Sequence, residues 1–176
     1  MVSAAPYMLV FRVLHIAGGI AWGGSIFLLV FFLQPTAKAV GPAAGPFMRE
    51  LLGARKLTNA ILAIAGVTIV AGGFLYWHDM EAFGGFGDFV TSSFGGWMTA
   101  GAISAIIAFA IGLFLTKPTL ERMLATGGEI ARAGDAPPPE LVQRLGALQV
   151  RGRKLAITNF TFVAIAAFAM STARYW

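Results

Sequence analysis

Four long apolar stretches, separated by polar connections, dominate the hydrophobic pattern of this sequence. They cover residues 7–33, 57–77, 97–116 and 155–173, and each is close to or above the ~20 residues that a helix needs to cross the hydrocarbon core of a bilayer. The pattern predicts an all-α, polytopic membrane protein in which four spanning helices form one bundle. We expect the whole chain, residues 1–176, to be a single membrane domain in contact with the lipid bilayer.

The composition leads to the same class of protein. Hydrophobic residues make up 57% of the chain and charged residues only 12%, which excludes an ordinary soluble domain. The net charge is +5, but the basic residues flank the apolar stretches and form no patch with interleaved aromatic residues. We therefore expect no nucleic-acid partner. The chain has no cysteine, which excludes disulfides and haem attached through a CxxCH motif.

Lysine and arginine are distributed unevenly among the connections. The first and third connections carry many basic residues, whereas residues 78–96 carry none and contain Asp79, Glu81 and Asp88. Because basic loops stay on the cytoplasmic side, both termini should lie on the outer side. The first stretch lacks the basic start and the cleavage site of a secretory signal, so we expect it to be retained. The expected location is the inner membrane of a bacterium.

The second half of the chain resembles the first. Residues 55–77 are similar to residues 153–176, and the segment FLQPT at 32–36 is similar to FLTKPT at 114–119. We interpret the similarity as two helical hairpins that descend from one ancestor and enter the membrane in the same direction. The predicted halves are residues 7–77 and 97–176.

Prolines and glycines predict where the helices end. Pro35 and Pro118 should stop the first and third helices, since proline lacks an amide hydrogen. The Gly- and Phe-rich segment 78–96 is expected to form a loop across the outer interface. Helices should extend beyond the membrane on the cytoplasmic side, at residues 47–56, 119–132 and 140–154.

His15 is the main candidate for a functional residue. At a rise of about 1.5 Å per residue it lies about 12 Å below the outer face, where an ionisable group is costly unless it has a partner. Trp22 follows two helical turns later on the same face, and Gly18 and Gly19 leave space between them. Arg12 lies one turn nearer the outer face. A ring nitrogen, a large aromatic residue and a small-residue surface together predict a flat or metal-bearing ligand.

A second ligand is harder to assign from the sequence. His78 lies at the outer end of the second helix, at a different depth from His15, which disfavours a bis-histidine haem. Met170 is the methionine closest in depth to His15, and a thioether sulfur binds haem iron and Cu(I). Methionine in a membrane helix is usually a packing residue, so this assignment competes with a purely structural one.

Residues 14–35, LHIAGGIAWGGSIFLLVFFLQP, resemble the opening helix of the copper-resistance protein D superfamily of small bacterial membrane proteins. His15, Trp22 and the glycine after it are similar to those of the HemJ-type protoporphyrinogen oxidases, which are haem-associated four-span proteins. The ARYW ending makes the whole chain look more like an uncharacterised branch. The resemblance implies that His15 is a haem or copper ligand. The intramembrane lysine of the oxidases has no counterpart here, because Lys56 and Lys154 lie at the cytoplasmic boundary.

Three hypotheses of function follow. The first is a b-type haem protein with His15 as axial ligand, and the second is a copper-handling protein with His15 as metal ligand. The third is an accessory subunit of a larger membrane complex or a homo-oligomer, in which His15 only bonds across a helix interface. No catalytic motif points to an enzyme. The residues predicted to bind the cofactor are His15, Trp22, Arg12, Met170, Gly18 and Gly19.

Overall fold

The computed structural model describes residues 6–134 and 136–176 and is helical over nearly all of them. Four helical paths in these ranges are long and apolar enough to span a membrane, which confirms the predicted all-α four-helix membrane bundle. Their bounds are Pro6–Ala54, Leu57–Ala82, Ser93–Ala133 and Pro139–Tyr175.

The paths contain α-helices joined by short π-helical and 3-10 segments. The α-helices of the described ranges are α1 (Pro6–Leu28), α2 (Gln34–Val40), α3 (Gly45–Arg49), α4 (Leu57–Ala82), α5 (Phe86–Thr91), α6 (Ser93–Ala110), α7 (Lys117–Ala133) and α8 (Pro139–Thr172). The π-helical segments are Leu29–Leu33, Glu50–Ala54 and Ile111–Thr116, and the 3-10 segments are Gly41–Ala44 and Ala173–Tyr175.

Two antiparallel hairpins build the bundle. The long helix α1 packs along α4, and α6 packs along α8, while smaller contacts of α4 with α6 and of α1 with α8 close the ring. All four paths contribute to one buried core, which consists of Trp22, Ile26, Val30, Ile61, Ala65, Ala108 and Ala156. Large apolar residues such as Ile20 and Phe114 point outward and are exposed. A bilayer covers this outer surface, so the protein contacts lipid.

The expectation that Pro35 and Pro118 end their helices is wrong. Each proline lies inside a helical path, near the start of α2 or α7, and the path continues beyond it. A π-helical segment precedes each proline and ends two residues before it, at Leu29–Leu33 and Ile111–Thr116. The wider turn relieves the steric crowding between the proline ring and the backbone of the preceding turn. The backbone hydrogen bonds change there from the α to the π pattern, and the helix continues.

Both odd-numbered paths turn at a glycine of the same conformation. Gly41 follows α2 with φ 69° and ψ −141°, and Gly134 follows α7 with φ 70° and ψ −137°. Helix α7 has 17 residues and α2 has 7, so the second hairpin reaches about 15 Å further than the first. The halves thus share the π segment, the proline and the glycine turn. Their common ancestry stays a prediction.

Two predicted boundaries differ in the structure. Lys56 adopts a left-handed conformation with φ 50° and ψ 38°, and α4 begins only at Leu57. The predicted early start of the second helix at residue 47 is therefore wrong, because Arg55 and Lys56 separate the helical residues 45–54 from α4. The early start of the fourth helix is confirmed, since α8 begins at Pro139.

The connection between the second and third spans is more ordered than the predicted loop. Helix α4 runs on to Ala82, and the short helix α5 follows after two glycines. Ser92 ends α5 and caps α6, where its hydroxyl accepts a hydrogen bond of 3.0 Å from the Gly95 amide. Phe89 of α5 is fully buried and packs edge-to-face on Tyr76 of α4. A buried aromatic anchor and a helix cap therefore hold this connection against the bundle.

Candidate functional site

His15 bridges the two helices of the first hairpin. Its Nδ1 lies 2.9 Å from the backbone carbonyl oxygen of Thr68 in α4. A carbonyl oxygen can only accept, so Nδ1 carries the proton and donates it. Among the residues that the structure describes, Nε2 has no hydrogen-bond partner, and the ring is only partly buried. The imidazole is thus held at one nitrogen while the lone pair of the other is available.

Gly72 provides the space for the imidazole ring. A Cβ atom placed on Gly72 would lie 2.6 Å from Cε1 and 2.7 Å from Nδ1 of His15, well inside van der Waals contact. Gly72 follows Thr68 by one helical turn, so both face α1. The neighbouring Gly73 has no heavy atom within 4 Å of an added Cβ. The steric requirement for glycine is therefore specific to position 72.

Gly18 and Gly19 lie against the same turn of α4. A Cβ on Gly18 would collide with the Thr68 hydroxyl, and one on Gly19 would lie 3.9 Å from Cγ2 of Thr68. The Thr68 hydroxyl donates to the Ile64 carbonyl at 2.8 Å, while the Thr68 carbonyl accepts from His15. Gly18 allows α1 and α4 to approach closely, as small residues do in membrane helices, whereas a Cβ on Gly19 would make an ordinary contact. The role of the two glycines toward a ligand stays a prediction.

Aromatic residues and a cation lie between His15 and the end of the bundle that holds α5. The rings of Phe11 and Phe74 stack with centroids 4.5 Å apart and an interplanar angle of 15°. Arg12 is exposed on α1 and forms no salt bridge within residues 6–134 and 136–176. The outer part of the hairpin therefore combines an apolar surface, a free guanidinium and one oriented imidazole.

The structure places Trp22 and Met170 in other contacts. Trp22 is 5% exposed and belongs to the core that all four paths share. Met170 packs on α6, where a Cβ on Gly101 would lie 2.7 Å from its Cγ. His15, Gly18 and Gly19 thus meet at Thr68, whereas Trp22 and Met170 lie elsewhere in the bundle. The proposed ligand roles of these two residues stay predictions.

Sequence reasoning missed Thr68 and Gly72. Thr68 acts through its backbone oxygen, which every residue possesses, so its identity carried no signal. Gly72 lies in the small-residue run Ala71, Gly72 and Gly73, and its four-residue spacing from Thr68 was the available hint of a helix contact.

The second hairpin contains a comparable polar contact nearer the other end of the bundle. The Asn159 side-chain amide of α8 donates to the Ala108 carbonyl of α6 at 3.0 Å. Asn159 is 6% exposed, and its Oδ1 is buried without a hydrogen-bond partner within the described ranges. Each hairpin thus has one side chain that donates to a backbone carbonyl of the facing helix.

Among the described residues, His15 presents one nitrogen, Nε2, with a lone pair that could bind a metal. The described residues contain no group of three or more His, Cys, Asp or Glu side chains that could hold a metal ion, whereas haem iron requires as little as one protein ligand.

No protein-family model matches the chain, and neither a curated protein nor a solved structure matches it. The resemblance to the copper-resistance protein D superfamily therefore stays a prediction.

Proposed function

We propose that this protein is an integral membrane protein that binds a b-type haem through Nε2 of His15. The observation that supports the proposal is the hydrogen bond of 2.9 Å from Nδ1 to the Thr68 carbonyl. Histidines that bind metals generally donate their second nitrogen to such an acceptor, which fixes the tautomer and raises the basicity of the ligating nitrogen.

The surroundings of His15 suit the other parts of a haem. Phe11, one turn from His15 on the same face of α1 and stacked on Phe74, would offer contact for the macrocycle. Arg12 lies one turn outward and would pair with a propionate. A haem in this position supplies a one-electron carrier near the outer face. Of the two predicted ligands, His15 alone would hold the iron, because Met170 packs on α6.

Absorption spectroscopy of the purified protein tests this proposal. Protein produced with ample haem should show a Soret band, and His15→Ala should abolish it. His78→Ala is the matched control, since His78 is exposed and its ring lies 3.7 Å from the Asp79 carboxylate; it should keep the band. A wild-type protein that is colourless and free of metal refutes the proposal.

Metal analysis of the same samples separates haem from copper handling. Iron in equal amount to protein, lost in His15→Ala, supports haem. Copper bound after copper loading, in a protein without a Soret band, supports the copper-handling alternative. That alternative requires further ligands beside His15.

The second candidate is a packing role for His15 in an accessory subunit or homo-oligomer. The observation that favours it is that the imidazole ring already fills the space over Gly72 and bonds Thr68. In this case His15→Ala lowers the free energy of unfolding, and the wild type has no Soret band. Native purification should then recover a stable partner chain or a defined oligomer.

A further inference from the structure

An open cleft with a mixed apolar and polar lining lies at the end of the bundle remote from His15. Its volume is ≈ 220 Å³, and it lies between the junction of the first two paths and the start of α7. Polar and apolar side chains line it together, among them Lys56, Thr58, Asn59, Lys117, Glu121 and Leu120. Because α4 enters its apolar span directly after Lys56, the cleft lies at the membrane boundary.

The cleft lining holds two lysines, Lys56 and Lys117, against one carboxylate, that of Glu121, so its net charge is positive. Lys117 Nζ lies 4.0 Å from the Glu121 carboxylate, and the Glu121 side chain is 63% exposed, so this ion pair is weak. Arg55 bonds Glu50 at 2.9 Å, whereas the adjacent Lys56 forms no salt bridge in the described part of the chain. One lysine is thus unpaired and the other is weakly paired.

The start of α4 adds hydrogen-bond donors to the same cleft. No side chain caps this helix, and the first intrahelical amide bond of the segment is that of Ala60 to Lys56 at 3.1 Å. The preceding amides, including those of Thr58 and Asn59, have no intrahelical acceptor. They add to the two ammonium groups, the Thr58 hydroxyl and the Asn59 amide of the cleft lining. The donor set therefore suits an anion with several oxygens.

We propose that this cleft binds the phosphate group of an anionic membrane lipid. Phosphate oxygens match the ammonium and amide donors, and a cleft at the membrane boundary lies at the depth of lipid headgroups. Leu52 and Leu120 offer apolar contact for the start of an acyl chain. The site is separate from His15 and does not depend on haem binding.

Native mass spectrometry of the detergent-purified chain tests the site with two lipids. The wild type should retain phosphatidylglycerol and lose phosphatidylcholine. Lys56→Gln combined with Lys117→Gln should weaken phosphatidylglycerol binding about tenfold, because each lysine near an anionic surface contributes roughly a factor of five and Glu121 already weakens one of them. The control is Lys38→Gln combined with Lys154→Gln, which removes the same charge from exposed residues outside the cleft; binding should change less than about twofold.

Three outcomes overturn the proposal. Equal weakening in the control pair means that only overall charge matters. Displacement of phosphatidylglycerol by inorganic phosphate in the millimolar range means that free phosphate, and not a lipid, is the ligand. Equal retention of both lipids means that the phosphate charge is not recognised. A Lys56→Gly variant guards against misfolding, since it should bind the lipid more weakly while its thermal stability does not fall.

Discussion

Gly72→Ala should destabilise the protein by displacing His15. The added Cβ would lie 2.6 Å from Cε1, so the ring must move by about 0.8 Å to reach an ordinary contact of 3.4 Å. Its hydrogen bond to Thr68 is 2.9 Å long, and a displacement of this size breaks it. We expect a cost of about 2 kcal/mol, of which about 0.6 kcal/mol is the interhelical hydrogen bond and the rest is overpacking.

The assay is reversible unfolding of the detergent-solubilised protein in sodium dodecyl sulfate, followed by tryptophan fluorescence. Gly73→Ala is the matched control, because it lies on the same helix with no heavy atom within 4 Å of the new Cβ. This variant should be as stable as the wild type or slightly more stable, since alanine favours the helix over glycine.

A double-mutant cycle identifies His15 as the cause. If the cost of Gly72→Ala arises through the imidazole ring, the same substitution in a His15→Ala background should cost less than about 0.5 kcal/mol. A cost that stays the same in both backgrounds refutes the reasoning. So does a Gly72→Ala protein that is as stable as Gly73→Ala. If haem is bound, Gly72→Ala should also weaken or shift the Soret band, because it disturbs the orientation of the ligand.

Two further substitutions test other parts of the bundle by the same unfolding assay. Asn159→Leu should change the free energy of unfolding by less than about 1 kcal/mol, because the loss of the hydrogen bond to Ala108 is offset by the removal of the unpaired Oδ1. Asn159→Asp buries a charge and should cost more than about 2 kcal/mol. A leucine variant as unstable as the aspartate variant contradicts this reasoning. Lys56→Gly should stabilise the protein by about 0.5 kcal/mol, since glycine adopts the left-handed conformation without strain. The control Arg55→Gly, at a right-handed position with φ −79°, should not stabilise it. Equal effects of the two substitutions contradict this reasoning.

The spans could be predicted from the sequence because their signal is additive over about 20 residues. Each of the four predicted stretches lies within one helical path of the structure. The hairpin that joins the first two spans could not be predicted in detail. It depends on Lys56 adopting a left-handed conformation, and nothing in the residue type favours that conformation.

The prolines were misread for a physical reason. Proline stops an α-helix only if the preceding turn cannot adjust, and at Pro35 and Pro118 a π-helical turn makes the adjustment. No residue pattern in the two segments distinguishes this response from a helix end. Burial of the surrounding helix in the bilayer favours continuation, because a broken helix would leave backbone groups without partners.

The sequence identified His15 as the centre of the candidate site but did not identify the residues that contact it. His15 stood out because an ionisable residue in an apolar span is rare. Its contacts on α4 did not stand out, since one is the backbone carbonyl of Thr68 and the other is Gly72, which has no side chain. Spacing along α1 also placed Trp22 beside His15, but Trp22 turns into the shared core. Helical spacing thus gives neighbours along one helix and cannot give contacts between helices.

The two π-helical segments differ in length by one residue, five at Leu29–Leu33 and six at Ile111–Thr116. The sequences FLQPT and FLTKPT differ by one residue at the same place, and the additional Thr116 lies inside the longer segment. In a uniform α-helix an inserted residue rotates everything after it by about 100° and turns buried faces outward. Here the additional residue lies within the π segment, so α7 has its proline two residues beyond the segment, as α2 does. The one-residue difference between FLQPT and FLTKPT is thus confined to the π segments, and the faces of α2 and α7 beyond them need not rotate.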